Sequence, residues 1–147
     1  MPGTGLDRFL EAQATTYDIA LHELREGRKT SHWMWYVFPQ IASLGRSQRA
    51  VFYGLADAAE ARAFQAHPVL GSRLDACFSA LLALAADDAE PILGPVDALK
   101  LRSCATLFLM AAPGTATAGL ASDILRRFYG GQSCPLTRQI LATGAGN

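Results

Sequence analysis

Apolar positions along the first quarter of the chain fall at helical steps. Leu6, Leu10, Gln13, Tyr17, Ala20 and Leu24 recur at intervals of four and three, which is one face of an α-helix. Phe9 and Leu21 widen that stripe, Thr4 with Asp7 reads as a capping pair, and Gly27 reads as the stop. Gln13 interrupts the otherwise apolar face. Next comes Lys29-Thr30-Ser31-His32-Trp33-Met34-Trp35-Tyr36-Val37-Phe38-Pro39-Gln40. Here Ser31 predicts the cap of a short helix that ends near Phe38, because Pro39 disfavours α geometry in the residue before it. A buried strand is the other reading of so short an apolar run, and the helical surroundings favour the helix. Leu44-Gly45-Arg46-Ser47 then reads as a turn, followed by an apolar group at Val51, Phe52 and Leu55.

The rest of the chain is again periodic. Asp57 and Glu60 predict a capped helix running to about His67, and Pro68 suits the first turn of another. That helix carries Leu70, Leu74, Cys77, Phe78, Leu81 and Leu82 as a core face. Residues 87–94 form a connector with room for one helical turn. Pro95 opens a helix through Leu99, Leu101, Leu107, Phe108 and Met110 that stops before Pro113. After a small-residue loop at 115–119, Leu120, Ile124, Leu125 and Phe128 mark a helix ended by Gly130-Gly131. Ser133 and Pro135 start a last short helix through Leu136, Ile140 and Leu141. These elements predict an all-α, or mainly α, fold: one compact domain of about six to eight helices over 1–147. Its core is expected at about 6–142, with a flexible tail at 143–147.

Composition narrows the class. At 147 residues the chain has the length of one domain and enough core to need no metal or disulfide staple. Half of its residues are hydrophobic and 18% are charged, unlike a disordered chain. Lys plus Arg and Asp plus Glu are equal at 13 each, so a nucleic-acid partner is not expected. Cys77, Cys104 and Cys134 are widely spaced, with no zinc-type cluster, so neither a metal nor a bound organic cofactor is expected. No apolar run approaches the roughly 20 residues that span a bilayer, and no leader pattern follows Met1. The expected setting is therefore the reducing cytoplasm. Oligomeric state is not readable from these features.

Candidate chemistry concentrates at 31–40. Trp33, Trp35, Tyr36 and Phe38 fall within six residues and read either as core or as flat walls for a planar ligand. His32 beside them has a side chain whose ordinary pKa suits proton transfer, though no catalytic triad spacing accompanies it. If its helix face is buried, Gln13 requires partners for its amide, from the backbone of the 31–40 segment or from a ligand. Further along, Asp97, Lys100, Ser103 and Thr106 are polar positions on an apolar helix. Successive steps of three drift about half a turn between Asp97 and Thr106, so Lys100 with Ser103 is the subset that shares a face. Otherwise Asp97–Lys100 is a surface ion pair, and Ser103 and Thr106 bond back to the helix. The resulting candidate set has His32 and Lys100 as catalytic residues. Gln13, Tyr17, Trp33, Trp35, Gln40 and Ser103 are its ligand-binding residues.

Several of these strings together resemble a known family. Leu6-Asp7-Arg8-Phe9 with Ala12-Gln13, the Ser31-to-Gln40 string, Leu44-Gly45-Arg46-Ser47 and Tyr53-Gly54 are among them. So are His67-Pro68-Val69-Leu70-Gly71-Ser72-Arg73-Leu74, Lys100-Leu101-Arg102-Ser103-Cys104-Ala105-Thr106-Leu107-Phe108, Tyr129-Gly130-Gly131 and Leu136-Thr137. The chain resembles the family called domain of unknown function 1810 from residue 6 to about 141. The resemblance implies a small, mainly helical bacterial protein without an established activity. Some members carry the label calpastatin. Calpastatin inhibitor segments are disordered and poor in hydrophobics, which the composition of this chain contradicts. The family often has two serines at Ser103-Cys104, an acidic residue at Cys134 and Leu at Arg138, so any scheme needing those groups is weakened here. The organisation is also similar to that of NADAR proteins, which are linked to ADP-ribose chemistry, in setting a Gln-bearing early helix before a Lys-bearing later one. Two functions follow as expectations: an enzyme or binder of a small nucleotide-like ligand, or a non-catalytic interaction module that uses the aromatic segment.

Overall fold

The computed structural model describes residues 5–143 and consists of helices packed around one core. In chain order they are α1 (Asp7–Ala14), α2 (Tyr17–Glu26), α3 (Met34–Val37), a 3₁₀ turn (Ala42–Leu44), α4 (Gln48–Phe52) and α5 (Ala58–Ala66). Then follow α6 (Pro68–Leu82), α7 (Glu90–Leu93), α8 (Pro95–Ala111), α9 (Ala116–Tyr129) and α10 (Pro135–Ala142). The all-α expectation holds, but ten α-helices among the described residues replace the six to eight expected. The difference has three sources. The first predicted helix divides at Thr15 and Thr16, the segment after the 3₁₀ turn forms α4, and the 87–94 connector closes into α7. At the first break the Thr16 hydroxyl donates to Ala12 O at 2.7 Å, and two β-branched residues with low helix propensity stand side by side. Gln13, Ala20 and Leu24 are still buried, since both halves press the predicted stripe on the same core.

Other boundaries follow local chemistry. Asp57 accepts from the Glu60 backbone N–H at 2.9 Å, and Glu60 Oε1 accepts from Ala56 N at 2.9 Å, a capping box displaced by one residue. Gly27 ends α2 with φ 76°, the left-handed geometry that glycine adopts without strain. The predicted Ser31 cap is corrected: α3 is capped by Trp33 with no side-chain bond, because Ser31 is held by Glu23 instead. Thr4 lies outside the described residues, and α1 has Leu6 as its N-cap, with no side-chain bond. Residues 144–147 of the expected tail likewise fall outside them.

The core runs through Phe9, Leu24, Trp33, Phe38, Phe64, Leu74, Phe78, Leu101, Leu107, Phe108, Ile124 and Leu125, all buried. Phe38 stacks on Phe78 with ring centroids 5.5 Å apart, and Phe64 meets Phe9 edge-on at 5.0 Å. Among the described residues a single parallel bridge, Ile41 with Leu55, closes the segment between them: Ala42 N donates to Leu55 O at 2.7 Å and Leu55 N to Gln40 O at 2.8 Å. Arg8 donates to Phe52 O at 2.7 Å and Gly54 O at 2.8 Å and pairs with Glu60 at 3.1 Å, which ties the same segment to α1. Gly54 is obligatory at that closure, since a Cβ there would lie 2.4 Å from Ala42 Cα. No helix among the described residues is long and apolar enough to cross a membrane.

Candidate functional site: a basic cleft beside the tryptophan segment

Glu23, buried on α2, organises the chain that leads into α3. Its Oε1 accepts from Thr30 N at 2.8 Å, Ser31 N at 3.0 Å and the Trp33 indole Nε1 at 2.9 Å. Its Oε2 accepts from the hydroxyls of Thr30 at 3.0 Å and Ser31 at 2.5 Å. Burial works against ionisation, but the hydrogen bonds from Ser31, Thr30 and Trp33 outweigh it and hold the carboxyl at about 2. Trp33 is consequently locked in the core at 1% exposure.

Two lysines then meet one carboxylate. Lys29 Nζ lies 3.0 Å from Asp97 Oδ2, donates to Ser31 O at 2.6 Å and sits 5.0 Å from the centre of the Trp33 ring. Lys100 Nζ reaches Asp97 Oδ1 only at 3.7 Å and lies 5.4 Å from the Trp35 ring. The Arg49 guanidinium approaches that same ring at 5.2 Å. Trp35 is thus partly exposed and held against two cations, a geometry in which the ring quadrupole attracts positive charge.

Lys100 opens onto a cleft of about 440 Å³ between α8 and the segment 40–50. Gln40, Arg46, Ser47, Lys100 and Ser103 supply its polar lining, and Leu44, Val96 and Leu99 its apolar wall. Val96 and Leu99 are 64% and 63% exposed although both are aliphatic. Arg46 makes no ion pair among the described residues. With Asp97 shared by Lys29 and Lys100, the cations at this face outnumber the one carboxylate that meets them. The local field at such a face is positive.

The sequence-predicted site residues are distributed as follows. Gln40, Lys100 and Ser103 come together in the cleft, and Trp35 stands behind Lys100. Ser103 Oγ donates to Leu99 O at 3.2 Å and approaches the Cys134 sulfur at 3.4 Å. Trp33 lies in the core on Glu23. Gln13 is buried with both amide ends occupied: its Nε2 donates to Tyr36 O at 2.7 Å, and its Oε1 accepts from Arg73 at 3.3 Å. The guanidinium of Arg73 lies 4.7 Å from the Tyr17 ring, and burial pushes the Tyr17 phenol up. Neither Gln13 nor Tyr17 lines the cleft. His32 is exposed, with its carbonyl accepting from the Tyr36 hydroxyl at 3.3 Å, and is not among the lining residues. Arg46 and Ser47 were missed as lining residues, Arg49 as a second cation on the Trp35 ring, and Glu23 as the organiser of the segment from Thr30 to Trp33. The available signal was the spacing of Arg46 and Arg49 across a turn and the two hydroxyls of Thr30-Ser31 before the first tryptophan. No group of three or more His, Cys, Asp or Glu among the described residues is arranged to hold a metal.

The fold is similar to a solved one. The crystal structure of the conserved hypothetical protein Rv1873 from Mycobacterium tuberculosis superposes with a TM-score of 0.88 at 42% identity, over 93% of this chain and 96% of that one. Comparison with curated proteins gives no match. The profile described as "Protein of unknown function (DUF1810)" matches residues 3–141. The ten-helix arrangement and the nearly full-length match agree, and the chain belongs to the DUF1810 family.

Proposed function

We propose that the cleft between α8 and the 40–50 segment binds a small anionic, nucleotide-like ligand. The observation that carries this reading is the convergence of Arg46 and Lys100 on a cleft of about 440 Å³, with Asp97 already held by Lys29. Lys100 and Arg46 meet the anionic group, while Gln40, Ser47 and Ser103 offer hydrogen bonds. Leu44, Val96 and Leu99 face the uncharged part. Trp35 fixes the position of Lys100 rather than stacking on the ligand, and Gln13, Tyr17 and Trp33 hold the frame behind it. This reading is one of binding and assigns no proton transfer to His32.

A thermal-shift screen of the purified protein against inorganic phosphate, nucleotides, NAD and ADP-ribose tests it, with Lys100→Ala and Arg46→Ala alongside. A ligand at 100 times its dissociation constant adds about 2.7 kcal/mol of stability. The expected outcome is a rise in melting temperature that both folded variants lose. A rise that survives in both variants places the ligand elsewhere. A second reading, a non-catalytic interaction module, is favoured by the exposed apolar side chains Val51, Phe52, Val96 and Leu99 around the same face. It expects no shift with any of these compounds.

A further inference from the structure

The start of α10 sets Cys134 and Thr137, which the binding reading leaves unused, beside Ser103 of the cleft. Cys134, half-buried, is the N-cap residue of α10. Its backbone N–H donates to Thr106 Oγ1 at 2.8 Å, which fixes it against α8. The Ser103 hydroxyl lies 3.4 Å from its sulfur, with Leu99 O at 3.2 Å competing for the same proton. Thr137, in the first turn of α10, is fully buried, and its hydroxyl has no hydrogen-bond partner of ordinary geometry. Burial pushes the Cys134 thiol up. The Ser103 hydroxyl and the Leu136 and Thr137 groups at the start of α10 outweigh it and hold the thiol below its ordinary range.

We propose that Cys134 is an oxidation site, at which a hydroperoxide converts the thiol to a sulfenic acid held by Ser103 and Thr137. The thiolate sulfur attacks one peroxide oxygen. An S–O bond forms and the O–O bond breaks. The sulfur loses two electrons to the peroxide, and the departing hydroxide or alkoxide takes a proton from water. A thiol sulfur is a weak acceptor, whereas a thiolate or a sulfenic oxygen is a strong one, so the reaction supplies the partner that the buried Thr137 hydroxyl lacks. The N-terminal end of α10 favours the same negative charge. Cys77 and Cys104 are fully buried internal references: burial pushes Cys77 up to about 12 and Cys104 well above its ordinary range.

The test treats the purified full chain with hydrogen peroxide in the presence of dimedone and locates the adduct by peptide mass spectrometry. Thr137→Val and Ser103→Ala are run in parallel, each near in volume to the original and checked by thermal melting. The expected result is a dimedone adduct on Cys134 alone, formed several-fold faster at pH 7 than on free cysteine and slowed about tenfold in the variants. No adduct, a rate no greater than that of free cysteine, or unchanged rates in both variants overturns the proposal. Should the variants fail to fold, the pH profile of Cys134 alkylation in the parent chain decides. A midpoint below the ~8.5 of an ordinary thiol supports the proposal, and one at or above it overturns it.

Discussion

Two tryptophans separated by one residue have opposite settings. Trp33 is sealed in the core, its indole N–H on the Glu23 carboxylate. Trp35 is partly exposed, its ring against Arg49 and Lys100. Trp33 stands at the N-cap of α3 with non-helical backbone and Trp35 within the helix, so the chain turns the two rings to different sides. One face of the short α3 therefore closes the core while the other supports a basic surface. An aromatic cluster in a sequence is thus not one object: the fold assigns each ring separately, according to which face it occupies and which polar group can satisfy it.

The largest expected effect comes from breaking the buried side. Trp33→Ala empties a filled core position and strips Glu23 of a donor, so it should cost about 3–5 kcal/mol by denaturant unfolding. Trp35→Ala should cost less than half as much, and equal losses would erase the contrast. Next in size is the carboxylate itself. Glu23 has its folded pKa lowered from 4.5 to about 2, so its contribution to stability is full above about 4.5 and is lost as the pH falls from there towards 2. Stability measured across that window should decline less in Glu23→Gln than in the parent chain. The smallest effect sharpens the exposed side. Lys100→Ala should change stability by less than about 1 kcal/mol, because its ion pair is long and partly solvated. A larger loss would mean that Lys100 is part of the frame rather than poised for a ligand.

Much of the fold was legible because local chemistry and burial agree. The apolar stripe of α6, the Pro68 start, the Asp57–Glu60 box and the Gly27 stop all stand where periodicity and capping place them. The break at Thr15 and Thr16 was hidden, since the stripe continues across it and neither glycine nor proline marks it. Within the site, the Lys100–Ser103 pairing followed from helical drift alone. The role of Glu23 did not, because a glutamate on an amphipathic helix looks solvated until the following loop folds back over it. Ser31 was misread for the same reason: a serine before an apolar run suits a cap, and here a distant carboxylate outcompetes the helix for it. Arg46 reaches the cleft, and Arg49 the Trp35 ring behind it, because the Ile41–Leu55 bridge folds their segment towards α8, a long-range pairing that no local pattern encodes.

That bridge makes the two walls of the cleft unequal in their tolerance of change. The α8 wall is part of the packed bundle, so inserting one residue would rotate every side chain beyond it by about 100°. The other wall is a 3₁₀ turn and the start of α4 joined by a short link at 45–47, on a base tied by the bridge and by Arg8. Change is therefore cheapest at exposed Arg46, between close-packed Gly45 and the Ser47 cap, and the shape of the cleft can be retuned there while Lys100 stays where the bundle puts it.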